Sequence, residues 1–218
     1  NDFKKYPITI EKDIQLLEEA GCDILFFPSV NEIYPEGINA DKHYDLGFIE
    51  TVFDGKYRPG HFQGVCMVVQ QLLEIVHPDS LYLGQKDYQQ CMVITKLVSL
   101  IDLKNSIEIV ICPTLREANG LAMSSRNMRL SNEEKEKAGV IYKSLEMIKK
   151  SIGKETPETL EHKAQLMLEA AGLKADYVEI VNAENLSPIQ EWNQHKKSVA
   201  LIAAFMNDVR LIDNMLLN

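Results

Sequence analysis

The sequence has no excess of basic residues. Its 23 lysines and arginines are outnumbered by 32 aspartates and glutamates, which gives a formal net charge of −9 at pH 7. Nucleic-acid binding depends on cations that neutralise phosphates, so we expect no nucleic-acid partner. Long apolar runs are absent as well: no stretch approaches the roughly 20 residues that cross a bilayer, and no charged-then-apolar leader opens the chain. We therefore expect no membrane partner.

Cysteine is scarce and scattered. Cys22, Cys66, Cys91 and Cys112 form no C-x-x-C pair and have no nearby histidine at the spacing of a zinc site. Most of them lie in apolar segments, which is typical of buried free thiols in a reducing compartment, so we expect a cytoplasmic protein. With 218 residues and 45% hydrophobic content, the chain is long enough for one large domain or two modest ones.

In the first half of the chain, segments with helical apolar spacing alternate with short apolar runs. The pattern predicts helices over residues 10–20, 62–76 and 87–100, and strands over residues 24–27, 46–52, 81–83 and 107–112. Such alternation predicts parallel strand pairing with right-handed crossovers. The fold class is therefore α/β, with a Rossmann-like, parallel-sheet domain over residues 1–114.

The pattern changes after Pro113. Ser131-Asn132-Glu133-Glu134 has the form of a capping box and predicts a helix that runs to about Lys150. A second helix should begin at Thr156-Pro157 and stop at Gly172. Three strand candidates follow, at residues 177–181, 199–205 and 209–212. Helices followed by closely spaced strands predict a smaller α+β domain over residues 115–218.

The most informative stretch is Gly84-Gln85-Lys86-Asp87-Tyr88-Gln89-Gln90, at the end of a predicted strand. In an open parallel sheet, ligands bind beyond the carboxyl ends of the strands. The glycine permits close approach of a ligand, Lys86 can neutralise phosphate, and Asp87 can accept hydrogen bonds from two ribose hydroxyls. Gln90 lies on the same face one turn later. A structural interpretation also fits, in which Asp87 favours the helix start, Lys86 is solvated and Gln90 is a surface amide.

A second polar cluster, Met123-Ser124-Ser125-Arg126, follows Gly120, which would permit movement. Arginine offers a rigid fork of donors and serine adds neutral donors, a set that suits the oxygens of a polyphosphate. Together the two clusters indicate chemistry on ATP. Alone, Ser-Ser-Arg is also a common loop tripeptide.

His61 lies in Arg58-Pro59-Gly60-His61-Phe62, just before an apolar helix. It can act as an acid or base, but the interpretation that it caps or packs at the helix entry is favoured. The helix presents an apolar face that includes Val65, Val68 and Val69. Such a face is more often core, although its end can line a pocket for a small branched substrate.

Taken together, five ordered blocks resemble the pantothenate synthetase family over essentially the whole chain. The blocks are Arg58 to Val65 with Val68-Val69, Pro78-Asp79, Gly84 to Gln90, Arg116 to Asn127, and Arg210-Leu211-Ile212-Asp213-Asn214.

The resemblance implies an ATP-dependent ligase that joins pantoate to β-alanine through pantoyl adenylate, releasing pyrophosphate and then AMP. It implies that the nucleotide is bound by Gly84, Gln85, Lys86, Asp87 and Leu115 and by the mobile phosphate-binding loop Met123, Ser124, Ser125 and Arg126. The catalytic residues would be Lys86, Ser124, Ser125 and Arg126. Pantoate would be bound by Gln90, Val65, Val68, Val69 and Leu83. The family consists of homodimers, and Mg²⁺ should accompany ATP, with no ligand for it identified here.

The sequence also departs from the family. Members carry a preceding segment with a first strand, a His-x-Gly-His motif and a substrate-binding glutamine, and the chain contains no His-x-Gly-His motif. We therefore expect this chain by itself to have negligible ligase activity. Met67, Gln70 and Asn119 stand where threonine, lysine and aspartate are usual. Two alternatives stay open: an adenylate-forming nucleotidyltransferase with another acid substrate, and a non-catalytic nucleotide-binding scaffold.

Overall fold

A computed structural model describes residues 9–37 and 42–218. The chain forms two compact units, residues 1–43 and 44–218. In the first unit, the predicted helix is confirmed as α1 (Ile10–Glu19), and the chain leaves it through Gly21 at a φ of +76°. A short helix, α2 (Val30–Ile33), follows and begins with a capping box between Ser29 and Glu32.

The prediction of a buried strand over residues 24–27 is wrong. These residues form no strand, and their side chains are exposed, from 46% for Leu25 and Phe26 to 84% for Ile24. A strand is stabilised by backbone hydrogen bonds to a neighbouring strand. No strand within the described residues pairs with this segment, so its apolar composition alone does not make it a strand.

The second unit opens with another departure from prediction. Residues 46–52 do not form a strand, because Gly47–Glu50 form a 3₁₀ helix and α3 (Phe53–Tyr57) follows it. The carbonyl oxygens of Ile49 and Val52 accept hydrogen bonds from Gln89 Nε2, at 2.6 and 2.8 Å. A side chain distant in sequence therefore satisfies backbone groups that a neighbouring strand would otherwise have satisfied.

The remaining elements of the first half are confirmed, apart from their end residues. They are α4 (His61–Val76), β1 (Ser80–Gly84), α5 (Tyr88–Leu100) and β2 (Glu108–Cys112). The two strands pair in parallel, with Ser80 opposite Glu108 and Gly84 opposite Cys112. Apolar residues of α4, α5 and both strands pack into a shared core cluster around Leu73, Ile94, Val98 and Ile107.

The second half contains three helices and an antiparallel sheet. The helices are α6 (Asn132–Ala138), α7 (Val140–Lys150) and α8 (Pro157–Ala170), so the helix predicted to run to Lys150 is interrupted at Gly139. The sheet has the order β3 (Lys174–Asn182), β4 (Ser198–Met206) and β5 (Val209–Leu216). The Ser131–Glu134 capping box is present, as predicted.

The antiparallel sheet is buried on both faces, because side chains along β4 alternate between two cores. Ala200, Ile202 and Ala204 pack with α7 and α8. Val199 and Leu201 belong to a cluster that also includes residues of α3 and α5. The fold class is thus confirmed as an α/β part with a parallel sheet, followed by an α+β part with an antiparallel sheet. Within residues 9–37 and 42–218, every helix is too short or too polar to cross a membrane.

Candidate functional site

The first polar cluster lies at the carboxyl end of β1, where the sequence predicts it. The strand ends at Gly84, Gln85–Asp87 form a 3₁₀ helix, and α5 begins at Tyr88. A Cβ atom added to Gly84 would meet nothing within 4 Å. The backbone at this turn is therefore open to the approach of a ligand.

Lys86 and Asp87 form an ion pair at this turn. Lys86 Nζ lies 3.2 Å from Asp87 Oδ1 and 3.1 Å from Oδ2, with the two side chains 18% and 44% exposed. Lys86 is therefore not the solvated lysine of the structural interpretation. Asp87 is the N-cap residue of α5, but its side chain makes no capping hydrogen bond. The helix start does not use this carboxylate, which remains accessible to solvent.

The two adjacent glutamines of the motif differ in role. Gln89 holds the segment before and within α3: besides its bonds to the Ile49 and Val52 carbonyls, its Oε1 accepts a hydrogen bond from Asp54 N at 3.0 Å. Gln90 is half-buried, and its side chain makes no hydrogen bond to another described residue. Of the pair, only Gln90 keeps its amide available for a ligand.

A side chain from β5 holds the turn in place. Asn214 is 2% exposed, and its Nδ2 donates to the carbonyl oxygens of Gln85 at 2.8 Å and Lys86 at 2.9 Å. Gln85 Nε2 donates in return to Asn214 Oδ1 at 3.2 Å. The turn is thus attached to the antiparallel sheet through three hydrogen bonds.

Residues Leu115 to Met123 double back as a hairpin, which we call the 115–123 hairpin. Met123 N donates to the Leu115 carbonyl oxygen at 2.9 Å. Near its base, Arg116 forms a bidentate ion pair with Asp213 of β5, with N–O distances of 2.5 and 3.1 Å. Leu115 is 71% and Met123 48% exposed. The hairpin therefore presents two apolar side chains to solvent while its base is fixed to β5.

The second polar cluster follows the hairpin directly. Ser124 is the N-cap of a 3₁₀ helix, Ser125–Arg129, and its hydroxyl accepts a hydrogen bond from Arg126 N at 3.2 Å. At the other end of this helix, Arg129 donates to Asp208 Oδ2 at 2.7 Å in the turn between β4 and β5. The Ser-Ser-Arg segment is thus the capped start of a short helix that is tied to the same sheet.

The two polar clusters meet in one narrow cleft. It is lined by Lys86 from the turn and by Ser124 and Arg126 from the 3₁₀ helix, together with Leu121, Ala122, Asn127, Arg210, Leu211 and Ile212. Three of these residues are cations, although Arg210 already donates to Asp54 at 2.7 Å and to Asp176 at 2.9 Å. Cations and a serine hydroxyl around a narrow cleft are suited to an anionic ligand.

His61 lies at the entry of α4, as the favoured interpretation has it, with its ring 5.1 Å from that of Phe62. Its Nε2 lies 2.9 Å from Arg58 Nη1. Burial lowers the pKa of His61, and Arg58 and Arg126 lower it further, whereas Asp54 and Asp87 act to raise it. The imidazole therefore lies within electrostatic reach of Asp87 and Arg126, one residue from each polar cluster.

The structure brings together three of the four apolar residues assigned to the pantoate pocket. Val65, Val69 and Leu83 all pack against the core cluster shared by α4, α5 and the parallel strands. Val68 is 45% exposed and takes no part in the core clusters of the described residues.

Several residues in or beside the cleft belong to the family motifs, but the sequence alone predicts no role for them. Arg116, Asp213 and Asn214 join the two clusters to β5, and Asn127 lines the cleft with 3% of its surface exposed. Asn127 Nδ2 donates to Glu117 Oε1 and to a backbone carbonyl, whereas its Oδ1 has no partner among the described residues. The block from Arg210 to Asn214 was the signal that could have identified the β5 residues, because polar residues inside an apolar strand need partners.

The three departures from the family pattern have local partners. Asn119 Nδ2 donates to the Lys135 carbonyl oxygen at 2.9 Å, a bond that an ionised aspartate could not donate, and its Oδ1 accepts from Leu121 N. Gln70 is buried; its Oε1 accepts from Tyr44 Oη at 2.7 Å, and its Nε2 donates to Glu74. Met67 packs against a core cluster. Each substitution is thus accommodated by its surroundings.

Within the described residues, no three His, Cys, Asp or Glu side chains come close enough together to hold a metal ion.

Comparison with known proteins gives consistent matches. The sequence model of the Pantoate-beta-alanine ligase family matches residues 1–216. A pantothenate synthetase of Cytophaga hutchinsonii is 46% identical over 219 residues, covering 99% of this chain and 76% of that protein. A pantothenate synthetase of Pseudomonas fluorescens is 44% identical over 216 residues, covering 98% of this chain and 74% of its own length.

Solved structures agree in fold. The crystal structure of pantothenate synthetase from Thermus thermophilus is similar with a TM-score of 0.90 and 37% identity, covering 100% of this chain and 78% of that one. A pantoate-beta-alanine ligase from Francisella tularensis, solved in complex with beta-gamma ATP and beta-alanine, has a TM-score of 0.72 and 35% identity, covering 99% of this chain and 73% of that one.

Proposed function

This chain belongs to the pantoate-beta-alanine ligase family, and from that premise we propose that its cleft serves the ATP-dependent condensation of pantoate with β-alanine to pantothenate. The reaction proceeds through pantoyl adenylate. A pantoate carboxylate oxygen attacks the α-phosphorus of ATP, and pyrophosphate leaves. The β-alanine amine then attacks the acyl carbon and loses a proton, and AMP leaves with the electrons of the broken C–O bond.

One observation carries the proposal: Lys86 shares a cleft with Ser124 and Arg126. These residues are separated in sequence and come from two different parts of the fold, so no local structural requirement brings them together. The Francisella relative was solved in complex with beta-gamma ATP and beta-alanine, which supports the same ligand classes for this site.

The nucleotide would lie across the two clusters. Gly84, Gln85, Lys86 and Asp87 form its ribose and phosphate side, with the solvent-accessible Asp87 carboxylate accepting from the ribose hydroxyls. The exposed apolar side chains of Leu115 and Met123 offer a surface for the adenine ring. Met123 leads directly into Ser124, which places the adenine side next to the phosphate side.

Lys86, Ser124, Ser125 and Arg126 would act on the reacting phosphate. Attack on the α-phosphorus concentrates negative charge on a five-coordinate phosphate, and charge of that kind is stabilised by donors that are already in place. Two cations and two hydroxyls supply such donors. No protein nucleophile is needed, because the attacking carboxylate belongs to pantoate.

Pantoate would bind beside the turn. The amide of Gln90 makes no hydrogen bond to another described residue, and Val65, Val69 and Leu83 supply apolar surface for the branched carbon skeleton. Val68 is included for its exposed apolar surface on the same helix, since its side chain is 45% exposed and packs in no described core cluster.

Further properties complete the proposal. Mg²⁺ would enter with ATP, because this ion is usually held by substrate phosphates with few protein ligands. Four free cysteines favour a cytoplasmic location, and family resemblance favours a homodimer. The change from a parallel to an antiparallel sheet favours an ATP- and pantoate-binding domain over residues 1–114 and an α+β domain over residues 115–218.

The test is exchange of labelled pyrophosphate into ATP, measured with and without pantoate, followed by AMP release on addition of β-alanine. Because the chain contains no His-x-Gly-His motif, we expect both steps to be very slow, with exchange that occurs only with pantoate and AMP release that requires β-alanine. Exchange with other acids but not pantoate, or AMP release that ignores β-alanine, would instead indicate a nucleotidyltransferase of different specificity. ATP binding measured by calorimetry without any exchange would favour a nucleotide-binding scaffold and would contradict the proposed ligase.

A further inference from the structure

Two consecutive residues of β5 each hold one half of the cleft. Asp213 is 4% exposed and pairs with Arg116 at the base of the 115–123 hairpin. Asn214 is 2% exposed and donates to the carbonyl oxygens of Gln85 and Lys86 in the turn after β1. Successive side chains of a strand point to opposite faces, so neighbouring positions can reach two different segments.

The two attachments are also joined to each other. Asp213 Oδ1 accepts a hydrogen bond from Arg116 Nη2 at 3.1 Å and another from the backbone nitrogen of Asn214 at 2.8 Å. A continuous series of hydrogen bonds therefore runs from the 115–123 hairpin through Asp213 and Asn214 to the turn that carries Lys86.

The strand that provides this link is firmly placed. β5 pairs with β4 along its length, from Val209 opposite Met206 to Leu216 opposite Val199. Hydrogen-bonded strands with a buried face are rigid supports, and residues held by them are located more accurately than residues on free loops. Both halves of the cleft are thus attached to the same rigid strand, β5.

We propose that the Asp213–Asn214 pair is a positioning device that sets the separation between Lys86 and the Ser124–Arg126 segment so that both reach one nucleotide triphosphate. Neither residue lines the cleft, so the pair acts through the backbone of Gln85 and Lys86 and through Arg116. The inference rests on the proposed function, because it takes ATP as the ligand that spans both halves.

The experiment compares the affinity of the wild-type chain for ATP with that of the Asn214→Ala variant, both measured by isothermal titration calorimetry. We expect the dissociation constant for ATP to rise about ten-fold. This is the size of effect expected when one to two hydrogen bonds that position the turn are lost. Thermal unfolding is measured in parallel, so that a loss of affinity can be separated from a loss of folded protein.

Asn182→Ala is the matched control. Asn182 is another strand asparagine, 7% exposed, whose Oδ1 accepts hydrogen bonds from Glu184 N at 2.8 Å and Asn185 N at 3.2 Å, and it does not line the cleft. We expect it to lower the unfolding temperature as Asn214→Ala does while leaving ATP affinity within about two-fold of the wild type.

Asn214→Asp is the second variant, for use in particular if the alanine variant does not fold. It keeps the size of the side chain and an acceptor for Gln85 Nε2, but it loses both N–H donors to the turn, so we expect the same loss of ATP affinity. ATP binding by the wild type with equally tight binding by both Asn214 variants would overturn the positioning role alone. Absence of ATP binding by the wild type would overturn the proposed function, and the positioning role with it.

Discussion

At the scale of single residues, Lys86 stands between one carboxylate and the cleft. Its side chain is 18% exposed and its partner Asp87 is 44% exposed. A largely buried cation loses hydration, and a partly solvated anion restores only part of that loss. An anionic ligand in the cleft would supply the rest, and this supports the proposal that Lys86 contacts the phosphates.

We predict that Lys86→Met raises the dissociation constant for ATP about 10- to 100-fold, the range expected for loss of a charge-assisted hydrogen bond. The unpaired Asp87 carboxylate would add repulsion toward the phosphates. Calorimetry measures the affinity, and Lys96→Met on the exposed side of α5 is the control, expected to bind ATP like the wild type. An equal loss in both variants would show that Lys86 has no local role.

The environment of His61 makes the folding stability of the protein depend on pH. Burial, with help from Arg58, lowers its pKa below the usual 6.5. Between the lowered value and 6.5, the unfolded chain binds a proton that the folded chain does not. The contribution of His61 to the free energy of unfolding is therefore fully present above about pH 6.5. It is lost as the pH falls through the pKa of His61 in the folded state.

We predict that His61→Gln loses less stability than the wild type between pH 7 and pH 5. The measurement is urea unfolding at a series of pH values, and the quantity compared is the change with pH, since loss of the Arg58 contact shifts all values of one variant alike. His195→Gln, in an exposed loop, serves as the control. Parallel curves for wild type and His61→Gln would show that the imidazole does not titrate differently on folding.

At the scale of elements, the 115–123 hairpin is shaped by a close contact with α7. Gly120 has a φ of +91°, and a Cβ added there would lie 2.3 Å from Tyr142 Cδ1. The Tyr142 ring also lies 4.3 Å from the Arg116 guanidinium, which donates at 3.0 Å to the Gly120 carbonyl oxygen. Glycine is therefore required at position 120 for two reasons: the backbone has a positive φ there, and the Tyr142 ring packs against it beside Arg116.

We predict that Gly120→Ala lowers the free energy of unfolding by about 2–4 kcal/mol, from backbone strain and overpacking together. Gly153→Ala separates the two causes, because Gly153 has a φ of +73° but open space around it. It should cost only about 1 kcal/mol. Urea unfolding measures both, and similar losses would mean that the Tyr142 contact is relieved without cost.

The two failed strand predictions belong to this scale as well. Residues 24–27 and 46–52 have the apolar composition of strands, yet the first is exposed and the second forms a 3₁₀ helix followed by the start of a turn. By contrast, residues 81–83 and 108–112 do form strands, because each segment finds the other as a parallel partner and packs against helices α4 and α5. Strand formation depends on that partner, which composition does not reveal.

At the scale of the whole second unit, the antiparallel sheet joins the two halves of the chain. Arg210 of β5 donates to Asp54 of α3 and to Asp176 of β3, with all three side chains between 15% and 21% exposed. Tyr177 packs beside them, with its ring 5.1 Å from that of Phe53. Removing one partner from such a group leaves desolvated charges without compensation.

We predict that Arg210→Met lowers the free energy of unfolding by about 2–4 kcal/mol, because two carboxylates lose their shared cation. Adding Asp54→Asn should restore part of the loss. Lys137→Met breaks an ion pair with Glu133 in which both side chains are exposed to solvent, so we expect it to cost much less stability than Arg210→Met. The three variants are compared by urea unfolding, and no difference between Arg210→Met and Lys137→Met would contradict a special role for the buried group.

The sequence alone determined the longer helices, apart from the interruption at Gly139, together with the Ser131–Glu134 capping box, the turn after β1 and, through its ordered motifs, the family. These features depend on residues within a few positions of one another, or on whole motifs. The tertiary structure decided which apolar segments found strand partners, that Gln89 supports a turn while Gln90 stays available, and that Asp213 and Asn214 connect the two halves of the cleft. Those outcomes depend on hydrogen-bond partners that are distant in sequence. Asn214 and Gln85, for example, lie more than a hundred positions apart. Local periodicity carries no information about such partners.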